Sequence, residues 1–313
     1  MRDRARRADR PWALGEIGEG EEWLACTFSE QEAQDLTEDQ LAVLLNGSDR
    51  SWIRAYEGMT LDGDHAWRNH TGTEVDWVRE QIGPDAQRVV DVGCGDGRHA
   101  NILAEYGIDV LGIDIAPRLV ERANDVASGS ARFAVLDARQ GIPEDGFDAA
   151  LCLYDVLGSS ADRNDDERLL SSIRACLRPG GVLVGSAMNT DVTLGHLSID
   201  RRPTTRGELV RTLERLPPSK SMEQTGSVFD VNQLVYFDGV YFRKEQFERV
   251  PGRLPCELIV RDRRFGITEL YETLVAAGFD VLRLEPVRLG DWTSPLARDD
   301  RRAKELIFVA RVR

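Results

Sequence analysis

Arg88-Val-Val-Asp-Val-Gly-Cys-Gly-Asp-Gly97, with Val110-Leu-Gly-Ile-Asp114 a short way downstream, is the stretch that decides the fold. Val89, Val90 and Val92 predict a buried parallel strand, and Gly93-Cys94-Gly95-Asp96-Gly97 predicts a tight loop into a helix from about Arg98 to Tyr106. Glycine is needed where the backbone takes dihedrals closed to other residues and passes within contact distance of a ligand. The second strand ends in the Asp114 carboxylate. A glycine turn beside an acid-tipped strand suits a nucleoside, the acid accepting hydrogen bonds from ribose hydroxyls.

Two departures decide which nucleoside. A dinucleotide fingerprint reads Gly-x-Gly-x-x-Gly, but here the sixth position is Arg98 and the third glycine comes one step early, at Gly97. Asp91, two residues before the first glycine, stands where a dinucleotide fold carries an apolar residue. An acid there suits a cationic ligand and repels a pyrophosphate, which disfavours an NAD-dependent oxidoreductase. Asp-x-Gly-x-Gly-x-Gly followed by an acid-tipped second strand resembles the class I, Rossmann-like S-adenosylmethionine-dependent methyltransferases. Leu177-Arg-Pro-Gly-Gly181 is a frequent companion of that loop in the same family, and the resemblance covers about residues 68 to 188. It implies S-adenosyl-L-methionine as cofactor, with S-adenosyl-L-homocysteine as product. It also implies cofactor-binding roles for Asp91, Gly93, Cys94, Gly95 and Gly97 on the loop, and for Asp114 and Ile115 at the second strand tip.

The fold so implied is α/β. It is a seven-stranded Rossmann-like methyltransferase sheet with strand seven antiparallel, a helical N-terminal extension and an antiparallel β insertion after strand five. The expected boundaries are 1–67 for the extension, 68–190 with 265–313 for the cofactor-binding domain, and 191–264 for a lid insertion. In the extension, Ser29-x-x-Glu32 and Thr37-x-x-Gln40 are capping-box patterns, the second opening a short helix with Leu41, Leu44 and Leu45 on one face. A helix from about Glu74 to Gln81 is expected, capped by Thr73. In the family the segment before the first strand folds over the cofactor, so Arg68 and His70 are candidates for its carboxylate and Tyr56 or Trp67 for an aromatic cover. The alternative is that these aromatics are core and Arg68 a surface charge.

Ala131-Arg-Phe-Ala-Val-Leu-Asp137 predicts a third strand. By resemblance Asp137 accepts from the adenine amino group and the Ala138 amide meets a ring nitrogen; the bland alternative for Asp137 is a cap or turn acid. Phe147 to Leu153 is almost unbroken apolar sequence, as a central strand covered on both faces requires. Tyr154 and Asp155 follow where methyltransferases place the group next to the transferred methyl, and Tyr154 counts among both the cofactor-binding and the catalytic candidates. No Pro-Pro pair of the amino-methyltransferase signature, no Pro-Cys pair and no paired-glutamate loop stands here, which demotes a macromolecular acceptor.

Between Met188 and about Arg264 the connection is too long for a simple crossover. Thr205-x-x-Glu208 is a further capping box ahead of Leu209, Leu213 and Leu216, and Asp238-Gly239 predicts a type I′ hairpin between strands 232–237 and 240–243, with a third strand over 256–261. The layout is similar to small-molecule and sugar-amine methyltransferases, where such an insert roofs the acceptor pocket and often builds a homodimer. Arg261-Asp262-Arg263-Arg264 with Arg243 and Lys244 reads as an ordinary solvated face or as a site for an acceptor carboxylate or phosphate. His196, Tyr236 and Tyr241 are the other polar candidates to reach a substrate from the lid. Thr268 is expected to cap a helix through Ala277, followed by strands at 279–284 and 305–312.

Composition narrows the partners. The formal charge of −14 over 313 residues opposes non-specific attraction to nucleic acid or anionic membranes. Five cysteines without Cys-x-x-Cys pairs read as reduced, cytoplasmic thiols, and no apolar run approaches a membrane span. Methyl transfer from a sulfonium to N or O of a small acceptor needs proximity and a dry pocket. A neutral amine requires only to be held deprotonated, whereas a hydroxyl needs a general base, for which Tyr154, Asp155, His70 and His196 are candidates. Four unclustered histidines argue against a metal. An RNA or protein acceptor, or a non-catalytic S-adenosylmethionine-binding protein, are the competing readings.

Overall fold

Consecutive residues of a strand point to opposite faces of its sheet, and in this protein both faces are covered. The computed structural model describes residues 12–13, 66–160, 162–217, 219, 231–247 and 256–313. The capping boxes at Ser29 and Thr37, the leucine-faced helix, Tyr56 and the Trp67 side chain lie outside the described residues. The described chain divides into two compact units, one of 66–195 with 264–313, the other containing 196–263.

The first unit opens with a 3-10 turn, Ala66–His70, running directly into α1 (Thr71–Ile82). The helix thus begins ahead of the expected Thr73 cap, and the Thr73 hydroxyl donates to the His70 carbonyl at 2.8 Å. There follow β1 (Arg88–Val92), α2 (Arg98–Glu105), β2 (Asp109–Asp114), α3 (Pro117–Asp125), β3 (Arg132–Val135), β4 (Phe147–Cys152), α4 (Arg163–Cys176), β5 (Leu177–Met188) and α5 (Thr190–His196). The strands make a seven-stranded sheet closed at one side by two strands from the far end of the chain.

Valines at 89 and 90 show how the sheet is sandwiched. Val90, Ala150, Leu183 and Phe308 pack beneath Leu169, Leu170 and Ile173 of α4 and Leu270 and Leu274 further on. Val89, Leu151, Val184 and Ile307 pack beneath Val75 and Val78 of α1 and Ala100 and Leu103 of α2. The Leu177-Arg-Pro-Gly-Gly turn loops out of the ladder: Phe147 pairs with Leu177, and Ala149 already pairs with Val182.

The second unit holds α6 (Arg206–Arg215), whose capping box is complete, with Thr205 accepting from the Glu208 amide and Glu208 from the Thr205 amide. It also holds an antiparallel sheet of β6 (Val235–Phe237), β7 (Val240–Phe247) and β8 (Cys256–Arg263), to which Trp12–Ala13 adds in parallel. Asp238 and Gly239 have φ of 49° and 84°, the pair of positive values a type I′ hairpin demands. Here the expectation of a solvated charged face is overturned. The β7–β8 ladder runs longer than expected, from Val240↔Arg263 to Phe247↔Cys256, so Arg243, Lys244, Arg261, Asp262 and Arg263 fall inside it and are buried. Arg243 is neutralised within the sheet by Asp262 at 2.9 Å and Glu245 at 3.3 Å.

Returning to the first unit, α7 (Ile267–Ala276) starts from Gly266 rather than Thr268, which sits inside the helix. Then come β9 (Phe279–Val287) and β10 (Glu305–Val312). The strand order is β9-β10-β5-β4-β1-β2-β3, and β10 runs antiparallel to both neighbours. The parallel strands end at one rim, and β10 begins there, Glu305 facing Met188.

Candidate functional site

Three glycines let the chain turn at this rim. Gly93, Gly95 and Gly97 have φ of 72°, 56° and 77°, and Gly97 is the residue from which α2 starts. Gly93 and Cys94 both donate to the Ile113 carbonyl, at 2.8 and 3.0 Å, tying the loop to β2. A Cβ on Gly93 would meet Val156 Cγ2 at 2.3 Å, whereas one on Gly95 would meet no protein atom within 4 Å. Below the loop the Phe133 ring fills the space a Cβ would need at Gly97 or Gly112.

Asp114 fixes the loop. Its Oδ2 accepts from the Gly95 amide and its Oδ1 from the Ala116 amide, both at 2.9 Å. Burial raises its pKa, the amides of Ala116, Gly95 and Ile115 hold it down, and the charge of Asp155 raises it. Asp91 is also buried, but its Oδ2 has no hydrogen-bond partner. Burial pushes Asp91 up to about 7, Arg98 acting against the shift and Asp114 with it. Burial together with Asp91, Asp114 and Asp96 pushes the Cys94 thiol well above its usual range, so it is no nucleophile. A buried carboxylate with an unfilled lone pair, beside two further acids, is a place that favours a cation.

A second polar cluster lies between α1, α2 and the end of β4. Glu74, 1% exposed, is its hub: it accepts from Arg98 at 2.7 Å, shares a hydrogen with His99 Nε2 at 2.8 Å, and takes the Tyr154 hydroxyl. Burial alone would raise Glu74, but His99, Arg98 and Tyr154 together bring it down to about 2. Burial and the Arg98 charge lower His99 to about 4, so its ring is neutral. Trp292 packs at 5.8 Å from the Tyr154 ring, 6.4 Å from His99 and 5.6 Å from Trp77. Its indole nitrogen donates to Glu305 Oε2 at 3.0 Å.

The expected site residues distribute as follows. Tyr154 stands at the rim with φ 63°, its amide donating to Ser186 Oγ at 2.6 Å. Asp155 beside it is partly buried. Arg68 forms an ion pair with Asp96 of the glycine loop, so the segment before β1 does reach that loop. His70 is exposed, its ring so close to Gly290 that a Cβ there would meet it at 3.0 Å. Asp137 follows β3, and there Oδ1 accepts from the Arg139 amide and Nε, and Oδ2 from Arg139 and Gln140. That carboxylate caps the short 3-10 turn Ala138–Gln140, as the bland alternative had it, while Ala138 is buried at the turn's start. His196 ends α5, and the Tyr236 and Tyr241 rings meet at a tilt with centroids 5.0 Å apart within the second unit. The sequence reading missed Glu74, His99, Ser186, Trp292 and Glu305. The only sequence signal for the last was an acid opening an otherwise apolar strand. No three His, Cys, Asp or Glu side chains among the described residues gather as a metal site, and no helix there is long and apolar enough to cross a membrane.

Residues 89–181 match the methyltransferase domain family. The chain is 34% identical over 124 residues to the ubiquinone biosynthesis O-methyltransferase of Pseudomonas fluorescens, which covers 37% of this chain and 50% of that protein. It is 31% identical over 170 residues to the 2-methyl-6-phytyl-1,4-hydroquinone methyltransferase of Synechocystis, covering 45% and 52%. The chain thus spans about half the length of these curated relatives. Among solved structures, the CcbJ methyltransferase of Streptomyces caelestis superposes with a TM-score of 0.54 at 15% identity, over 79% of this chain and 96% of that one. A methyltransferase from Clostridium acetobutylicum gives 0.53 at 11% identity, over 84% and 98%. The glycine loop, the strand order with its antiparallel β10 and the family match agree: the chain carries a class I, Rossmann-like methyltransferase domain of the S-adenosylmethionine-dependent type.

Proposed function

We propose that a chain with this methyltransferase domain transfers a methyl group from S-adenosylmethionine to a nitrogen or oxygen of a small-molecule acceptor. The observation that carries the reading is Asp91: a buried carboxylate with an unpartnered oxygen, directly below a glycine loop. An orphaned buried acceptor costs roughly 1–3 kcal/mol, and a cationic ammonium at the loop would relieve that cost, as a pyrophosphate would not. S-adenosylmethionine, when bound, supplies both that ammonium and an electrophilic methyl on sulfur, open to in-line attack by an acceptor lone pair.

The residues at hand fit that group. The Asp114 carboxylate takes the Gly95 and Ala116 amides, one on each oxygen, with the Ile115 amide as a third, which leaves acceptor capacity for a ribose hydroxyl. A Cβ on Gly95 would meet no atom of the described residues within 4 Å, which leaves room for a ligand against that point of the loop. Ile115 and Ala138 offer main-chain contacts for the nucleoside, and Arg68, already at the loop, is the cation for the carboxylate end. Tyr154 and Asp155 border the methyl. The Tyr154 phenol, pushed far up by burial, stays protonated and orients the acceptor rather than deprotonating it, so a hydroxyl acceptor would draw on Asp155. The net charge of −14 supports a small acceptor over a polynucleotide, and the quinone- and hydroquinone-named relatives support the same class. A homodimer through 191–264 belongs to the same proposal and is checked by sedimentation.

The test is calorimetric titration with S-adenosylhomocysteine and, in parallel, NADH, on wild type and Asp114→Ala. Binding of the homocysteine nucleoside that weakens sharply in the variant supports the reading and opens an acceptor screen. A preference for NADH, or no binding by well-folded protein, would overturn it.

A further inference from the structure

Asp137 stands where a nucleoside would find an acceptor, and every acceptor position it has is taken. β2 and β3 run parallel with Asp114 opposite Val135, and the Leu136 amide donates to the Asp114 carbonyl at 2.9 Å. Asp137 is therefore the acid just past the β3 tip, beside the β2 tip where Asp114 holds the glycine loop. Ligands of open α/β sheets lie outside the carboxyl ends of the strands. A base joined to a ribose at Asp114 has the β3 tip as its neighbouring wall, and a carboxylate there is the group that would accept from a 6-amino substituent.

Four donors fill that carboxylate. Oδ1 takes the Arg139 amide at 3.0 Å and Arg139 Nε at 2.8 Å, and Oδ2 takes Arg139 Nη2 at 2.8 Å and Gln140 Nε2 at 3.1 Å. A carboxylate offers about four lone-pair sites, so none is left for a ligand. Arg139 is fixed from its far side as well. Its Nη1 donates to Asp165 Oδ2 at 2.8 Å, in the first turn of α4, and Arg168 pairs with the other oxygen of that acid. An amino group on a base is a neutral donor, and charge-assisted bonds are roughly twice as strong as neutral ones. One amino contact is therefore a poor exchange for the two parallel guanidinium bonds it would displace.

We propose that Arg139 is a specificity-determining residue. By occupying the Asp137 carboxylate it withdraws the acceptor that would read a 6-amino group, so the site does not distinguish adenine from a purine lacking that group. The base is held instead through main-chain contacts at Ile115 and Ala138, which loss of the amino group leaves in place. The inference rests on the methyltransferase reading, because it takes the nucleoside to be that of S-adenosylmethionine.

The experiment is calorimetric titration with S-adenosylhomocysteine and with its analogue carrying purine in place of adenine. Wild type should bind the two within about threefold of each other. Arg139→Leu, which keeps an apolar stem but returns one acceptor site on each Asp137 oxygen, should prefer the adenine form by about tenfold or more, the scale of a hydrogen bond to a charged group. Adding Asp137→Ala to that variant should bring the ratio back to within about threefold. A wild type that already prefers adenine tenfold overturns the proposal, as does a folded Arg139→Leu whose ratio matches wild type. Should Arg139→Leu fail to fold by circular dichroism, the wild-type ratio and its response to Asp137→Ala alone decide, a ratio that falls in the variant being the adverse result. Binding of S-adenosylhomocysteine with strong discrimination sinks this inference and leaves the methyltransferase reading standing, whereas binding of neither ligand sinks both.

Discussion

Gly93 and Gly95 share a left-handed backbone, yet a methyl group added to each meets different things, and this separates folding from ligand binding. Ala at either position carries the left-handed penalty of about 1–2 kcal/mol. At Gly93 the Cβ also strikes Val156, so overpacking should add about 1–3 kcal/mol and lower the urea midpoint clearly. At Gly95 the Cβ enters open space. Gly95→Ala should therefore lose only that penalty in urea stability and still fold, while S-adenosylhomocysteine affinity, read by calorimetry, drops by about tenfold or more, a loss of ~1.4 kcal/mol. Unchanged affinity in Gly95→Ala would mean that no ligand lies over the loop. Asp91 makes the second residue-scale prediction. Its folded-state pKa of about 7 stands above the ordinary aspartate value of 3.8, so the folded chain holds the proton more tightly than the unfolded one. Stability from this group is full below about pH 4 and is lost as pH rises through 7, a change of roughly 4 kcal/mol. Glu305 adds a slope of the same sign. Asp91→Asn should therefore remove part of the decline in urea stability between pH 5 and 8, not all of it. It should also abolish the rise in S-adenosylmethionine affinity across pH 7 that an ionising Asp91 produces in wild type. The glycine loop was legible from sequence because backbone dihedrals and strand-tip acids demand particular residue types in a row. The Asp137 carboxylate was not, since its capture by Arg139 and Gln140 uses residues any loop can carry.

At the scale of elements, Glu74 is the hub of the polar contacts between α1 and the sheet rim. Glu74 ties Arg98 and His99 of α2 and Tyr154 beyond β4 to the helix. Truncating it leaves three buried donors without their shared acceptor, so Glu74→Ala should cost about 3–5 kcal/mol in guanidinium unfolding at pH 7. Because Glu74 is held at about 2, below the ordinary glutamate value of 4.5, its contribution is present above pH 4.5 and lost as pH falls toward 2. The gap between wild type and variant should narrow when the same unfolding is measured at pH 3. A constant gap would show the loss to be one of packing. This hub was invisible in the sequence. Helical period marks Glu74 only as an acid in a first turn, and its partners come from two other segments, 24, 25 and 80 residues away. Element existence was legible nearly throughout, and starts less so. Thr73 and Thr268 have the chemistry of caps, but the chain enters α1 from a 3-10 turn and α7 from Gly266. The charged run at 261–264 was misjudged for a related reason: composition reads as solvated, whereas the β7–β8 ladder determines burial.

Among the described residues, the first unit is an α/β domain interrupted once. The interruption leaves and re-enters at neighbouring points, for the Thr190 amide donates to the Phe265 carbonyl at 3.0 Å and the Phe265 amide to Met188 at 2.9 Å. With its ends fastened together inside the first unit, the inserted stretch contributes loop length rather than sheet continuity, and closing a shorter loop costs little because the entropy varies slowly with length. Residues 66–196 joined to 264–313 by a short Gly-Ser linker should therefore still melt cooperatively by circular dichroism. They should also bind S-adenosylhomocysteine within about an order of magnitude of the full chain, since Asp91, the glycine loop and Asp114 all lie in the retained part. Turnover of small acceptors should be lost, because the retained part carries the cofactor residues without 197–263, the segment we propose confers acceptor specificity. A shortened chain that binds and also methylates at the full-length rate would move that specificity into the 66–195 unit, onto Tyr154, Asp155 and the rim around Glu305. One that melts without cooperativity would show that the ladder at Thr190 and Phe265 depends on the insert instead of bracketing it.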